Sequence, residues 1–216
     1  MDRPQPVSAE LEIDLRNLRQ LNRYFGSYRL IARFLRRWIR PQSRMRILDL
    51  ATGSGDIPRL VVEYARTVRA DVTVDAVDQQ ASTLEIARRL SISYPEIEFV
   101  AGDVLAFDRE PYDLVLCSLA LHHFTESDAV KVLERCRELS TRYILVADLR
   151  RGWLATTGVF LLTALFFREP MTRTDARLSA ERAFSFAEFR SLAQRAGWKN
   201  FGHAKFAFAR QAIWME

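Results

Sequence analysis

Arg46-Ile47-Leu48-Asp49-Leu50 is a short apolar run that ends abruptly in Ala51-Thr52-Gly53-Ser54-Gly55, and a helical stripe follows at once. Ile57, Leu60, Val61, Tyr64 and Val68 recur at the spacing of one helix face, and Pro58 suits the first helical turn. Strand, glycine turn and helix in immediate succession place backbone that can approach a ligand directly before a helix N-terminus with unpaired N–H groups. The alternation continues. Val72 to Val77 reads as a second strand, and Ser82 with Glu85 has capping-box spacing that predicts the next helix. Glu98 to Val100 reads as a third strand, and Tyr112 to Cys117 as a fourth, apolar enough to be buried on both faces. Residues 126–139 read as a helix and Tyr143 to Ala147 as a fifth strand. This pitch predicts a parallel sheet covered by helices on both faces.

The flanks differ. Residues 1–8 read as a loose tail and residues 9–40 as two helices broken near Gly26-Ser27, with Leu30, Ile31, Phe34, Leu35 and Trp38 as the buried stripe of the second. Near the other end, Ser185 and Glu188 form a capping box, and Gly197 stops the helix they open. Two last apolar runs, about 198–203 and 205–214, are close enough to form a hairpin. The spacing therefore divides the chain into an N-terminal helical extension, 1–40, and a main domain, 41–216.

Between the fifth strand and the helix at 185 lie residues of about 150–184, long for such a connection, and long connections are often functional. The first half, Trp153 to Phe167, is apolar; the second carries Arg168, Glu169, Arg173, Asp175 and Arg177. It is shorter than the roughly 20 residues a membrane-spanning helix needs. It reads as a cap over a substrate, with a plain core helix or peripheral membrane contact as alternatives. Apolar walls with few polar groups suit a flat aromatic or lipid-like ligand.

Composition narrows the partners. The 216 residues suit one domain. The net charge of +5 raises the question of nucleic acid, but Arg supplies 29 of the 32 basic residues and they are spread along the chain. The densest run, Arg33, Arg36, Arg37 and Arg40, has the spacing of a solvated helix face, so nucleic-acid binding is not expected. Two cysteines, Cys117 and Cys136, give neither a disulfide framework nor metal-ligand spacing. That usage fits a reducing cytoplasm, and no signal peptide is visible.

The acids around the glycine turn decide the ligand class. Asp49 stands two residues before Ala51, and Asp56 directly follows Gly55. Carboxylates there repel phosphates and favour a cofactor with a positive end. Asp78 closes the second strand, where an acid can accept ribose hydroxyls. Asp103, after the third, is level with a nucleobase. With ILDLATGSGD, VDAVD, the AGD at 101–103 and SLALHHF at 118–124, the sequence resembles the class I S-adenosylmethionine-dependent methyltransferases, and more narrowly those of quinone biosynthesis and small-molecule natural products. The resemblance implies a Rossmann-like, doubly wound sheet of seven strands, mostly parallel with a C-terminal antiparallel hairpin. It implies S-adenosyl-L-methionine as cofactor, against Asp49, Ala51, Thr52, Gly53, Gly55, Asp78, Gln79, Asp103, Val104 and Ser118. Tyr24 and Phe25 are further candidates from the N-terminal helices. Ala51 departs from the family's usual glycine.

In an open α/β sheet, ligands bind beyond the carboxyl ends of the strands. His122-His123 follow the fourth strand and Asp148 ends the fifth. Histidine takes a proton near neutral pH, and a neighbouring carboxylate orients it. In sugar- and phenol-directed relatives a histidine and an aspartate at these places form the base pair. The resemblance carries that role onto His122 or His123, with Asp148. The expected function is methyl transfer to a small aromatic, phenolic or lipophilic acceptor, O-methylation favoured. The alternatives are C-methylation of a phenol or quinol ring, nucleic-acid methylation, and a non-catalytic cofactor-binding module. His203 is expected to be structural, and Cys117 a small core residue.

Overall fold

A computed structural model describes residues 6–153, 157 and 169–216. The N-terminal helices fall where the sequence puts them: α1 spans Ala9–Tyr24, with the Ser8 hydroxyl accepting the Leu11 N–H, and α2 spans Ser27–Trp38. Gly26, at φ +87°, makes the elbow between them.

The alternation then runs β1 (Arg44–Leu50), α3 (Asp56–Thr67), β2 (Asp71–Asp78), α4 (Ala81–Leu90), β3 (Ile97–Ala101) and β4 (Tyr112–Ser118). A single 3-10 turn, Leu121–His123, leads into α5 (Glu126–Glu138) and β5 (Ser140–Leu149). Further along the chain come α6 (Pro170–Arg182), α7 (Phe186–Arg195), β6 (Gly202–Phe206) and β7 (Arg210–Met215). The strands form one seven-stranded sheet in the order β3-β2-β1-β4-β5-β7-β6, parallel except for β7, which runs antiparallel to both neighbours. The expected doubly wound sheet with a terminal hairpin is present.

Alternation of side chains sends the two faces of the sheet into two cores. Ile47, Val74, Leu114, Leu116 and Leu145 meet the stripes of α2 and α3. Leu48, Leu50, Val115, Cys117 and Val146 meet α5 and α7, where the predicted Ser185–Glu188 capping box is formed. Burial pushes the Cys117 thiol well above its ordinary value, as befits a small core residue.

Two expectations at element ends are corrected. Ser82 does not cap α4: the N-cap is Gln80, two residues earlier, where the Asp78 carboxylate accepts the Gln80 N–H at 2.9 Å and turns the chain. The hairpin break falls at 207–209 rather than near 204. Ala207-Phe208-Ala209 contains no glycine or asparagine to mark a turn, yet Phe208 and Ala209 both have φ near +55° (+55° and +53°).

The apolar run Trp153–Phe167 lies outside the described residues except for Trp153 and Thr157. Its polar continuation, α6, packs on α1: Asn17 donates to the Thr172 hydroxyl at 3.1 Å, and Leu11 and Leu15 of α1 cluster with Ile86, against which Met171 packs. No helix among the described residues is long and apolar enough to cross a membrane.

Candidate active site

The sheet register brings the strand ends level. Leu50 pairs with Val77 and with Cys117, Asp78 with Ala101, and Ser118 with Ala147, so Asp78, Ser118 and Asp148 stand along one edge beside the turn that follows β1. A cavity of about 650 Å³ opens above this edge, roofed by α1 and α6. That volume is ordinary for a small-molecule site.

The glycine turn forms one wall. Thr52 donates its N–H to the Val77 carbonyl at 2.9 Å, and Gly53 donates its N–H to Asp78 Oδ2 at 2.8 Å, so the turn is tied to the end of β2. Gly55 is required by packing as well as by its φ of +71°: a Cβ there would lie 2.8 Å from the Phe99 ring. Ala51 adopts φ +56°, a conformation in which a Cβ is strained. Ala51→Gly is therefore expected to stabilise the protein by about 0.5–1 kcal/mol, a rise of roughly 2–4 °C in Tm. An unchanged or lower Tm by scanning calorimetry would show that the alanine methyl contributes more by packing than its backbone costs.

The acids sort themselves by depth. Asp56, Asp78 and Asp103 line the cavity. Asp56 Oδ2 accepts from Asn22 at 3.1 Å and from the Tyr28 hydroxyl at 3.0 Å, which fastens α1 and α2 to the turn. Burial raises the Asp78 pKa, against the lowering effect of the backbone N–H groups of Gln80 and Gly53. Each Asp78 oxygen accepts one backbone N–H and keeps a lone pair for a ligand.

Asp49 and Gly55 stand behind the wall rather than on it. Asp49 is 1% exposed and neither carboxyl oxygen makes a well-formed hydrogen bond. Burial pushes it up to about 8, partly offset by the nearby Thr52 hydroxyl, with the Asp56 and Asp78 charges acting to raise it further. An unfolded aspartate titrates near ~3.9, so between about 4 and 8 the folded state holds a proton that the unfolded state has lost. The resulting penalty on stability is absent below about 4, grows with rising pH and is complete above about 8. Asp49→Asn mimics the protonated form, so its Tm advantage over wild type is expected to be larger at pH 9 than at pH 5. A difference independent of pH would show that Asp49 does not titrate in this way.

The opposite wall holds a dyad. Leu119, at φ +55°, turns the chain out of β4 and into the 3-10 turn. There His122 Nδ1 stands 2.6 Å from Asp148 Oδ1, and the His122 backbone N–H donates to Asp148 Oδ2 at 2.9 Å. Leu149 N–H adds a third donor to Asp148 at 2.7 Å. An ionised carboxylate only accepts, so Nδ1 carries the proton, and a neutral ring turns the lone pair of Nε2 outward. Nε2 is buried and has no partner among the described residues, and His122 lines the cavity. His123 also lines the cavity, its ring centroid 4.3 Å from that of His122, but the hydrogen bonds to Asp148 come from His122. Two more buried oxygens without partners among the described residues, Thr52 Oγ1 and Ser118 Oγ, sit on residues that line the same cavity.

Among the other expected residues, Ala51, Gln79 and Val104 line the cavity. Tyr24 does not: it is 69% exposed, because the phase of α1 turns Leu18, Leu21 and Asn22 inward and leaves the cavity contact to Phe25. His203 lies away from the cavity, stacked on Phe186 with ring centroids 3.7 Å apart, and burial lowers it to about 4. The sequence reading missed Leu18, Leu21, Thr83 and the turn Phe208–Arg210, all on the cavity wall. The inward spacing of Leu15, Leu18 and Asn22 was a signal for α1. The hairpin turn gave none.

Residues 47–141 match the family model described as a methyltransferase domain. The chain is 36% identical over 87 residues to the 2-phytyl-1,4-naphtoquinone methyltransferase of Thermosynechococcus vestitus, covering 40% of this chain and 37% of that protein. It is 30% identical over 125 residues to indole glucosinolate O-methyltransferase 4 of Arabidopsis thaliana, covering 57% of this chain and 32% of that one. The chain thus spans about a third of the length of these curated relatives. Its fold matches that of human N-acetylserotonin methyltransferase with a TM-score of 0.67 at 18% identity, over 95% of this chain and 55% of that one. The matched segment runs from β1 to the start of β5 and contains the glycine turn, Asp78 and His122, so the part of the chain that carries these residues is similar to a methyltransferase domain.

Proposed function

We propose that the protein transfers a methyl group from S-adenosylmethionine to a hydroxyl of a small, flat aromatic or lipophilic acceptor, with His122 as the base and Asp148 as the residue that orients it. The observation that carries this reading is the dyad itself: a buried histidine whose Nδ1 is held by a carboxylate, its Nε2 without a partner among the described residues, on the wall of a cavity shared with the glycine turn.

The residues present fit the cofactor. Asp78 keeps a lone pair on each oxygen for ribose hydroxyls, and Asp103 stands on the same wall for the base. Asp56 places negative charge on the turn side of the cavity, where a cationic amino-acid end is favoured and a phosphate is not. The unpartnered Thr52 and Ser118 hydroxyls supply further polar contacts. When bound, the cofactor supplies an electrophilic methyl group on a sulfonium. The chain's own part is to align the acceptor, exclude water and take the proton from the acceptor oxygen onto His122 Nε2. Asp148, with its three donors, then balances the imidazolium charge. The helices α1 and α6 serve as lids: they cover the cavity from opposite ends of the sequence and meet through Asn17 and Thr172.

Relatives named for O-methylation and a relative named for a naphthoquinone both resemble this chain, and methylation at ring carbon of a phenol or quinol is the alternative. The same base serves it, since a phenolate can react at oxygen or at carbon. Incubation with S-adenosylmethionine carrying a 13C-labelled methyl group and a panel of phenols, naphthols and quinols separates the two. An O-methyl carbon resonance is expected. Label on ring carbon would establish the alternative, and no transfer to any acceptor despite cofactor binding would favour a binding module.

A further inference from the structure

We propose that Phe208, on the turn between β6 and β7, is the stacking platform that selects a flat aromatic acceptor. The proposal rests on the reading of the cavity as the site of methyl transfer.

The pairing of β7 with β5 brings this turn beside the dyad: Gln211 lies opposite Asp148, and Arg210 opposite Leu149. Phe208 and Ala209 are both held in the left-handed region, at φ +55° and +53°. Two successive left-handed residues in a hairpin turn are ordinarily Asn-Gly, and a residue with a Cβ resists that conformation. This chain puts a phenylalanine there and fixes it from several sides. Arg150 donates its N–H to the Ala209 carbonyl at 2.7 Å. Arg210 Nη1 donates to the Phe208 carbonyl at 2.9 Å, and its Nε to the Ser27 hydroxyl at 2.9 Å. A strained backbone persists only where its surroundings over-determine it, and such positions gather at ligand sites.

The elbow between α1 and α2 is shaped around the same ring. Phe25 meets Phe208 edge to face, with centroids 5.7 Å apart and planes at 82°. Gly26 stands against it: a Cβ there would lie 3.3 Å from Phe208 Cδ2. Even so, Phe208 is 53% exposed, and both rings line the cavity. A ring braced on one side, strained in its backbone and left open toward a cavity is placed to be covered by a ligand. An aromatic face prefers an offset or edge-on aromatic partner, which gives the site a preference for flat acceptors over saturated ones of similar size.

The test compares wild type, Phe208→Asn and Phe208→Tyr by calorimetric titration with 2-naphthol and with its saturated counterpart, decahydro-2-naphthol. Each titration is run with and without S-adenosylhomocysteine. Wild type is expected to prefer 2-naphthol, and Phe208→Asn to weaken 2-naphthol by about tenfold while leaving the saturated alcohol nearly unchanged. Phe208→Tyr keeps the ring and is expected to keep the preference. The Tm of Phe208→Asn is expected not to fall, because asparagine tolerates the left-handed region. S-adenosylhomocysteine affinity is expected to be equal in all three. Wild-type binding without a preference for the aromatic probe overturns the proposal, as does an equal loss for both probes in the Asn variant. A chain that fails to bind S-adenosylhomocysteine refutes the methyl-transfer reading instead, while the preference in its absence still decides the part of the ring.

Discussion

Replacing His122 with alanine is expected to lower kcat by about 10²–10⁴-fold, the usual contribution of a positioned base, with cofactor affinity nearly intact. The expectation follows from the dyad's isolation. Nε2 of His122 is buried and without a partner among the described residues, and the ring is held from behind by Asp148 at 2.6 Å. Asp148→Asn is the more incisive companion. An amide in place of the carboxylate no longer accepts at both positions, where the backbone N–H and the ring Nδ1 of His122 each need an acceptor. If the amide nitrogen faces the ring, Nδ1 becomes the acceptor, the proton moves to Nε2, and the lone pair that takes the acceptor's proton is lost. A fall comparable to that of His122→Ala is expected, and the double variant is expected to be little worse than either single one, because the two act as one unit. His123→Ala is expected to cost less, since the ring whose Nδ1 stands 2.6 Å from Asp148 is that of His122. Steady-state kinetics of the four variants, with circular dichroism to confirm folding, decides this. A greater loss in His123→Ala than in His122→Ala would reassign the base.

Asp78→Ala is expected to weaken S-adenosylmethionine binding by at least ~1.5–3 kcal/mol, roughly 10- to 150-fold, the range for hydrogen bonds to a charged group. The carboxylate has two tasks. It orders the glycine turn by accepting the Gly53 N–H, and it starts α4 by accepting the Gln80 N–H. Its remaining lone pairs face the cavity, so removal costs both the ligand contact and the shape of the turn. Asp78→Asn keeps one of the two backbone acceptors and is expected to fall between wild type and alanine. Calorimetric titration with S-adenosylhomocysteine measures both variants, and an unchanged affinity in a folded Asp78→Ala would remove this residue from the cofactor's site.

The alternation of strand and helix was legible in the sequence because it rests on local patterns: apolar runs, helical stripes and the Ser185–Glu188 capping box. The strand ends that carry Asp78, Ser118, His122 and Asp148 followed from the same reading, since a parallel sheet brings the carboxyl ends of its strands to one edge. What stayed illegible depends on contacts far apart in sequence. Ser82 looked like a cap, but the carboxylate of Asp78, itself fixed by the turn after β1, starts the helix earlier. Tyr24 and Phe25 are neighbours, and only the packing of α1 against α6 and the hairpin decides that Phe25 is the one on the cavity. Asp49 reads as part of the turn, yet its position inside the sheet buries it behind the wall. Phe208 gave no signal, because the turn that presents it uses residues that ordinarily avoid such a turn. Of the two histidines, neither pattern nor spacing distinguished the one that meets Asp148; the left-handed turn at Leu119 does.

The central claim is that His122 takes a proton from the acceptor during methyl transfer. It is tested most directly by kcat/KM for wild type and His122→Ala over a series of phenols of graded acidity. A phenol with an ordinary pKa of about 10 arrives protonated and needs the base, whereas a strongly acidic phenol arrives ionised and does not. The defect of His122→Ala is predicted to be largest for the least acidic phenols and to shrink steadily toward the most acidic. A defect of the same size across the whole series would contradict the account, since it would assign His122 to positioning rather than to proton transfer.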